Sequence, residues 1–107
     1  SKKCFLSKLE PFVKENKWQS ILAELNCPIK RSPLLDDKDE KIILLDNKIY
    51  SYNAIVNWFD RTKTVPHNYL EIYHIKEDDL IDISEEINAF IKEHEQALND
   101  AAQAIAG

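Results

Sequence analysis

Glycine is almost absent: the chain of 107 residues contains one. Turns that need a positive φ must therefore fall mainly on Asn or Asp, which tolerate the left-handed region better than other side chains. Cysteine is scarce as well. Cys4 and Cys27 are too few for a disulfide framework, and a reducing intracellular setting is expected, because disulfides persist in oxidising compartments. Together with His67, His74 and His94 they form no Cys-x-x-Cys pair and no close His pair, so the spacing of a zinc site is missing. There is no glycine-rich phosphate loop and no serine in a nucleophile elbow. Cys27 precedes Pro28 inside an apolar segment with no base spaced beside it, the pattern of a core residue rather than a nucleophile. No catalytic residue, metal or cofactor is expected. The longest apolar runs are four residues, where a membrane-spanning helix needs about 20. No signal peptide is visible. A net charge of −5, with no basic stripe interleaved with aromatics, argues against nucleic-acid or anionic-membrane partners.

The remaining composition is that of one globular domain, with 44% apolar and 31% charged residues. Pro11 suits the first turn of a helix, and Phe12, Val13, Trp18, Ile21, Leu22 and Leu25 supply an apolar stripe, so a helix is expected over 11–25 with Asn26 as its left-handed stop. Residues 5–10 carry little signal. Trp18 on that stripe reads as core before it reads as a partner contact. Pro28 and Pro33 impose an irregular loop, in which Ile29 either plugs the core or protrudes as an apolar knob. Asp36, Asp37, Lys38, Asp39, Glu40 and Lys41 form a charge run expected to be a solvated loop. It lacks the glycine and terminal glutamate of a calcium-binding loop.

Residues 42–45 and 48–50 read as two strands joined by a tight turn at Asp46 and Asn47. Ser51 is placed to cap a helix over 52–61, with Ile55 and Phe59 as its buried anchors. Trp58 lies at the edge of that face, in the core or against a partner. A polar loop over 62–68 holds Pro66; Leu70, Ile72, Tyr73 and Ile75 form an apolar patch with strand character; 78–81 is a connector. Asp82 with Glu85 fits a capping box. From Ile87 through Phe90, Ile91, His94, Leu98 and Ala101 the spacing predicts one final helix over 84–104, with His94 as a polar residue at the core's edge.

In this order the residues resemble a known family. Cys27, Pro28 and Ile29 resemble the opening Cys-Pro-Ile of the U-box domain of ubiquitin ligases. Tyr50, Ile55 and Trp58 match its Tyr-x4-Ile-x2-Trp element, Lys63, Thr64, Val65 and Pro66 resemble its second loop, and Leu80 through Ile83, with Ile87, Phe90 and Ile91, resemble its closing segment and last helix. The resemblance implies an α+β fold whose core, over 27–93, is a small zinc-less RING-like unit with a short β-hairpin, a central helix and two loops. An N-terminal helical extension over 1–26 and a C-terminal helix extension over 94–107 would flank it. It implies loops held by hydrogen bonds and ion pairs instead of zinc. It further implies a ligase that docks a ubiquitin-conjugating enzyme charged with ubiquitin and promotes transfer to a lysine of a protein substrate. The family supplies no nucleophile and acts by restricting the conjugate to a reactive geometry.

Carried over by position, Ile29 takes the first-loop contact, with Arg31 beside it where the family has an apolar residue; Trp58 takes the central-helix contact and Pro66 the second-loop contact. The family's Asp-Pro-Val after the first loop is replaced by the longer acidic loop, its hairpin glycine by Asn47, and its closing Pro-Asn by Asp82 and Ile83. The cationic or amide residue that bridges ubiquitin in many members would fall at Tyr69, with Asn68 before it, counting forward from Pro66, or at Ile72 counting back from Leu80, none of them basic. Docking is thus better supported than strong activation. The alternative is a degenerate U-box that only binds a protein or substrate, and a third reading is an unrelated small α+β domain. So divergent a member, rich in Ile, Lys and Asn, has the texture of a bacterial effector acting in a host cytoplasm.

Overall fold

The computed structural model describes residues 1–35, 40–62, 64–65, 68–72 and 80–106, with the backbone alone at 62, 64–65, 68–72 and 106. It is a small α+β protein of short antiparallel sheets and five helices among the described residues. None of those helices is long and apolar enough to cross a membrane.

The chain enters helix α1 (Lys2–Lys14) at once, with the Ser1 hydroxyl accepting the Cys4 N–H at 3.2 Å. Phe5 and Leu9, four apart, are fully buried, so the stretch that carried little sequence signal is a core helix. Pro11 does not start this helix but lies inside it and is exposed. It forfeits the N–H bond to the preceding turn, a cost of about 3 kcal/mol that the burial of Phe5, Leu9 and their neighbours outweighs. The expected single helix over 11–25 is also interrupted. Asn16 sits at φ 55, its N–H bonding Val13 O at 3.1 Å, while Lys17 N–H reaches Phe12 O at 2.8 Å. That pair of bonds is a Schellman ending. The left-handed asparagine stop is therefore at Asn16 and not at Asn26. Helix α2 (Trp18–Glu24) follows and buries Ile21 and Leu22.

Where an irregular loop was expected, strands β1 (Asn26–Cys27) and β2 (Ser32–Pro33) pair antiparallel. Bonds from Leu34 N–H to Leu25 O (3.0 Å) and from Arg31 N–H to Cys27 O (2.7 Å) close the ladder at both ends. Pro33 is tolerated because its pair needs no N–H from it. Cys27 is fully buried.

Strands β3 (Ile42–Leu45) and β4 (Lys48–Ser51) form the expected hairpin, Leu45 opposite Lys48. Asp46 and Asn47 have φ of 52° and 60°, the twin positive values of a type I′ turn, whose twist matches the strands. Asn47→Ala is expected to lower the unfolding free energy in urea by about 1 kcal/mol, because Cβ crowding in the left-handed region loses asparagine's local compensation, whereas Asn47→Gly should hold or raise it.

Helix α3 (Tyr52–Thr62) leaves β4 without a loop. The Ser51 hydroxyl accepts Ala54 N–H at 3.4 Å, the cap the sequence indicated. Ile55 is fully buried and Phe59 packs partly buried on the core, as their spacing predicts.

The polar loop expected over 62–68 contains a strand, β5 (Thr64–Val65), paired with β6 (Asn68–Ile72). Residues 36–39, 66–67 and 73–79 lie outside the described residues, including most of the acidic run, the connector's start, Tyr73 and Ile75. Ile81, expected in that connector, belongs to β7 (Ile81–Asp82), which pairs with β3 to give the sheet order β4-β3-β7. Ile42 seals this edge: its N–H bonds Ser84 Oγ at 2.7 Å and its carbonyl accepts Ile83 N–H at 2.9 Å. The capping box of Asp82 and Glu85 is not formed. Ile83 occupies the N-cap position, and Asp82 Oδ1 instead accepts Ser84 N–H at 2.9 Å.

The last helix is two, α4 (Ser84–Glu93) and α5 (Glu95–Ala106), broken at His94 with φ −114° and ψ 25°. The break swings Leu98 and Ala101 into the core, and Gln19 Nε2 bonds Ala101 O at 3.1 Å. The partly buried His94 ring lies 4.7 Å from Phe90 and 5.4 Å from Trp18, at the core's edge as expected. Trp18 also packs partly buried on the core. Helical spacing runs unbroken through this bend, which is why periodicity does not reveal it. One buried cluster joins all of this: Phe5 and Leu9 of α1, Ile21 of α2, Ile43, Ile49 and Tyr50 of the hairpin, Ile55, Ile87 and Leu98.

Candidate functional site

Of the residues singled out by position, Ile29 and Arg31 lie on the tip of the β1–β2 hairpin, 28–31, and Trp58 lies on helix α3. Strand β1 lies beside β4, and β4 runs straight into α3, so the tip and the helix share one foundation. Cys27 Sγ accepts the Ser51 N–H at 3.5 Å, joining the base of the tip to the start of the helix.

A second connection is polar and centres on Glu40. Its carboxylate pairs with Lys30 Nζ at 3.1 Å, accepts the Ser51 hydroxyl, and accepts Asn53 N–H at 3.3 Å. Tyr52 N–H bonds Lys41 O at 2.9 Å beside it, with Lys41 Nζ 5.2 Å from the Tyr52 ring centre. A carboxylate at a helix N-terminus also meets the positive end of the helix dipole. Partial burial works against ionisation of Glu40. The hydrogen bonds from Ser51 and Lys30, the Lys30 charge and the Asn53 amide outweigh it and hold the carboxyl below its ordinary value. The bridge thus ties the hairpin tip at Lys30 to the first turn of α3.

On this frame Ile29 is partly buried and packs against the core cluster, so it resolves into neither a sunken plug nor a free knob. Arg31 is exposed, with φ 59°. Trp58 is partly buried on α3, one residue before Phe59. Asn68 and Tyr69 open strand β6. Pro66 lies outside the described residues. The structure brings Ile29 and Arg31 together on one tip and fastens that tip to the helix that carries Trp58.

Neither Glu40 nor Lys30 stands out in the sequence as a site residue, Glu40 because it lies in a charge run that reads as a solvated loop. Glu40 is instead partly buried and fully engaged. Half of the bridge was legible: with the turn at Asp46 and Asn47 and Ile42 opposite Ser51, continuing the register sets position 40 against 53. Nothing local points to Lys30.

Comparison with protein-family models, with curated proteins and with solved structures finds no match to this chain.

Proposed function

We propose that this chain is a ubiquitin ligase domain of the U-box kind, which docks a charged ubiquitin-conjugating enzyme on the hairpin tip and helix α3 and promotes transfer of ubiquitin to a substrate lysine. The observation that carries the reading is the Glu40 bridge. A metal-free cross-brace needs a polar network that is satisfied at every member, since a half-satisfied one costs stability. Glu40 meets that need by engaging Lys30, Ser51 and Asn53 at once. The order of the U-box-like motifs supports the reading, as does the hairpin, helix and returning strand of β3, β4, α3 and β7. Ile29 and Trp58 are then the apolar anchors, with Pro66 assigned by resemblance alone. The domain contributes orientation, not a covalent step.

A second reading, a binding module without transfer activity, draws on three features. Ile29 and Trp58 each have part of their surface covered already. The exposed residues that follow Ile29 on the tip are the charged Lys30 and Arg31. Asn68 and Tyr69 supply no cation. One experiment separates the two: single-turnover discharge of ubiquitin from a charged conjugating enzyme to free lysine, with the domain, without it, and with Ile29→Ala. The ligase reading expects acceleration that the substitution removes by roughly tenfold or more, the loss of a central interface anchor. Binding of the conjugating enzyme with no acceleration by the native domain establishes the second reading. Acceleration that Ile29→Ala leaves intact overturns the docking mode.

A further inference from the structure

The same hairpin tip carries a feature that docking does not use. Ser32 is the only serine or threonine in the chain that precedes a proline. It is exposed, and with Pro33 it forms β2, an already extended segment at the edge of a sheet of two strands. Two cations, Lys30 and Arg31, stand immediately before it, both exposed, and Lys30 is held by Glu40 at 3.1 Å.

We propose that Ser32 is a phosphorylation site for a serine-proline-directed protein kinase, and that the phosphate competes with Glu40 for Lys30 and so loosens the tip from helix α3. In the transfer step Ser32 Oγ attacks the γ-phosphorus of ATP. The new O–P bond forms as the bond to the β,γ-bridging oxygen breaks, ADP leaves, and the hydroxyl proton passes to the kinase's base. The product carries a charge of about −1.5 to −2 and three strong acceptor oxygens next to two cations. A phosphate carries more negative charge and more acceptor oxygens than a single carboxylate, forms charge-assisted bonds with Arg and Lys, and repels Glu40. Lys30 is therefore drawn toward residue 32, Glu40 loses its cation, and its bond to Asn53 N–H weakens. For its effect on activity this proposal rests on the ligase reading; the modification and the loosening do not.

The full domain is incubated with ATP and a serine-proline-directed kinase, alongside Ser32→Ala and Pro33→Ala. Intact mass should show single phosphorylation of the native chain, none in Ser32→Ala and a sharply lower yield in Pro33→Ala. Amide hydrogen exchange at Asn53 should then rise roughly fivefold or more in the phosphorylated protein, the factor that a loss on the order of 1 kcal/mol confers. Absence of incorporation, or equal incorporation in Ser32→Ala, overturns the site. Incorporation with unchanged Asn53 exchange overturns the coupling to Glu40. Discharge of the charged conjugating enzyme is measured on the same samples, where phosphorylation should slow it. If the unmodified domain shows no acceleration, the ligase reading fails by itself, and Asn53 exchange still decides this proposal.

Discussion

Phe5→Ala is expected to lower the unfolding free energy by about 4 kcal/mol, the usual cost of emptying a fully buried aromatic site. Domains of this size have only about 5–15 kcal/mol in total, so the variant should keep only about 1–11 kcal/mol and unfold at a clearly lower urea concentration. The size of the effect follows from where Phe5 sits. It is fully buried in the cluster that also contains Tyr50, Ile55, Ile87 and Leu98, and Lys8 Nζ rests 4.7 Å from its ring centre. Lys8 in turn pairs with Glu24 at 2.7 Å and bonds Asn47 O at 3.3 Å, which spreads contact from α1 to α2 and to the hairpin turn. A detachable helical extension would behave differently: Phe5→Ala would melt α1 and leave the 27–93 segment at its native midpoint. The two cases are distinguished by urea titration followed by far-ultraviolet circular dichroism and by tryptophan fluorescence. A Trp18→Phe background leaves Trp58 on α3 as the sole indole. Coincident transitions, both shifted down, indicate one cooperative unit. A Trp58 transition that stays in place while helicity is lost early would show that the N-terminal helices are separate from the core.

Glu40→Ala should have the second-largest effect, about 2 kcal/mol of stability, because hydrogen bonds to a charged group contribute more than neutral ones and the partners left behind must be resolvated. The Glu40 side chain is only 17% exposed, so solvent screening discounts this less than for a surface pair. The loss should be local as well as global. Amide exchange at Asn53 and Ala54 should rise beyond the overall change, since Glu40 fastens both Asn53 N–H and the Ser51 hydroxyl that caps Ala54. Its pH dependence has a definite direction. The folded carboxyl lies below the ordinary value of 4.5, so the unfolded chain takes up the proton first. The contribution of the bridge is complete above that pH and disappears as the pH falls through the folded value. Asp82, held down chiefly by its bonds from Ser84, and Glu86, held down by Lys2, shift in the same direction. The share of Glu40 is therefore read as the stability difference between native protein and Glu40→Gln, which should be constant near neutrality and shrink below about pH 4.5. A difference independent of pH down to acid unfolding would mean that the charge on Glu40 contributes nothing and that the contact is steric.

Both predictions concern features that the order of residues only half reveals. What the sequence determined by itself was local. The type I′ turn at Asp46 and Asn47, the strands around it, the Ser51 cap and the buried row of Ile55 and Phe59 all depend on neighbours within four residues, and alternation, capping and helical spacing are sufficient to place them. The Schellman ending at Asn16 is local too, since Phe5, Leu9, Phe12 and Val13 keep helical spacing across Pro11 up to it. Tertiary structure decided the rest. Periodicity passes through His94 without interruption, and only the need to seat Leu98 and Ala101 against α2 bends the helix there. Ile81 reads as a connector until β3 offers it an edge to pair with. Glu40 looks like one more charge in a solvated run until the hairpin register sets it opposite Asn53 and the β1–β2 tip delivers Lys30 to it. A single carboxylate bonded to positions 30, 51 and 53 depends on three separate segments meeting, and that meeting is made by packing, on which a local pattern of residue types carries no information.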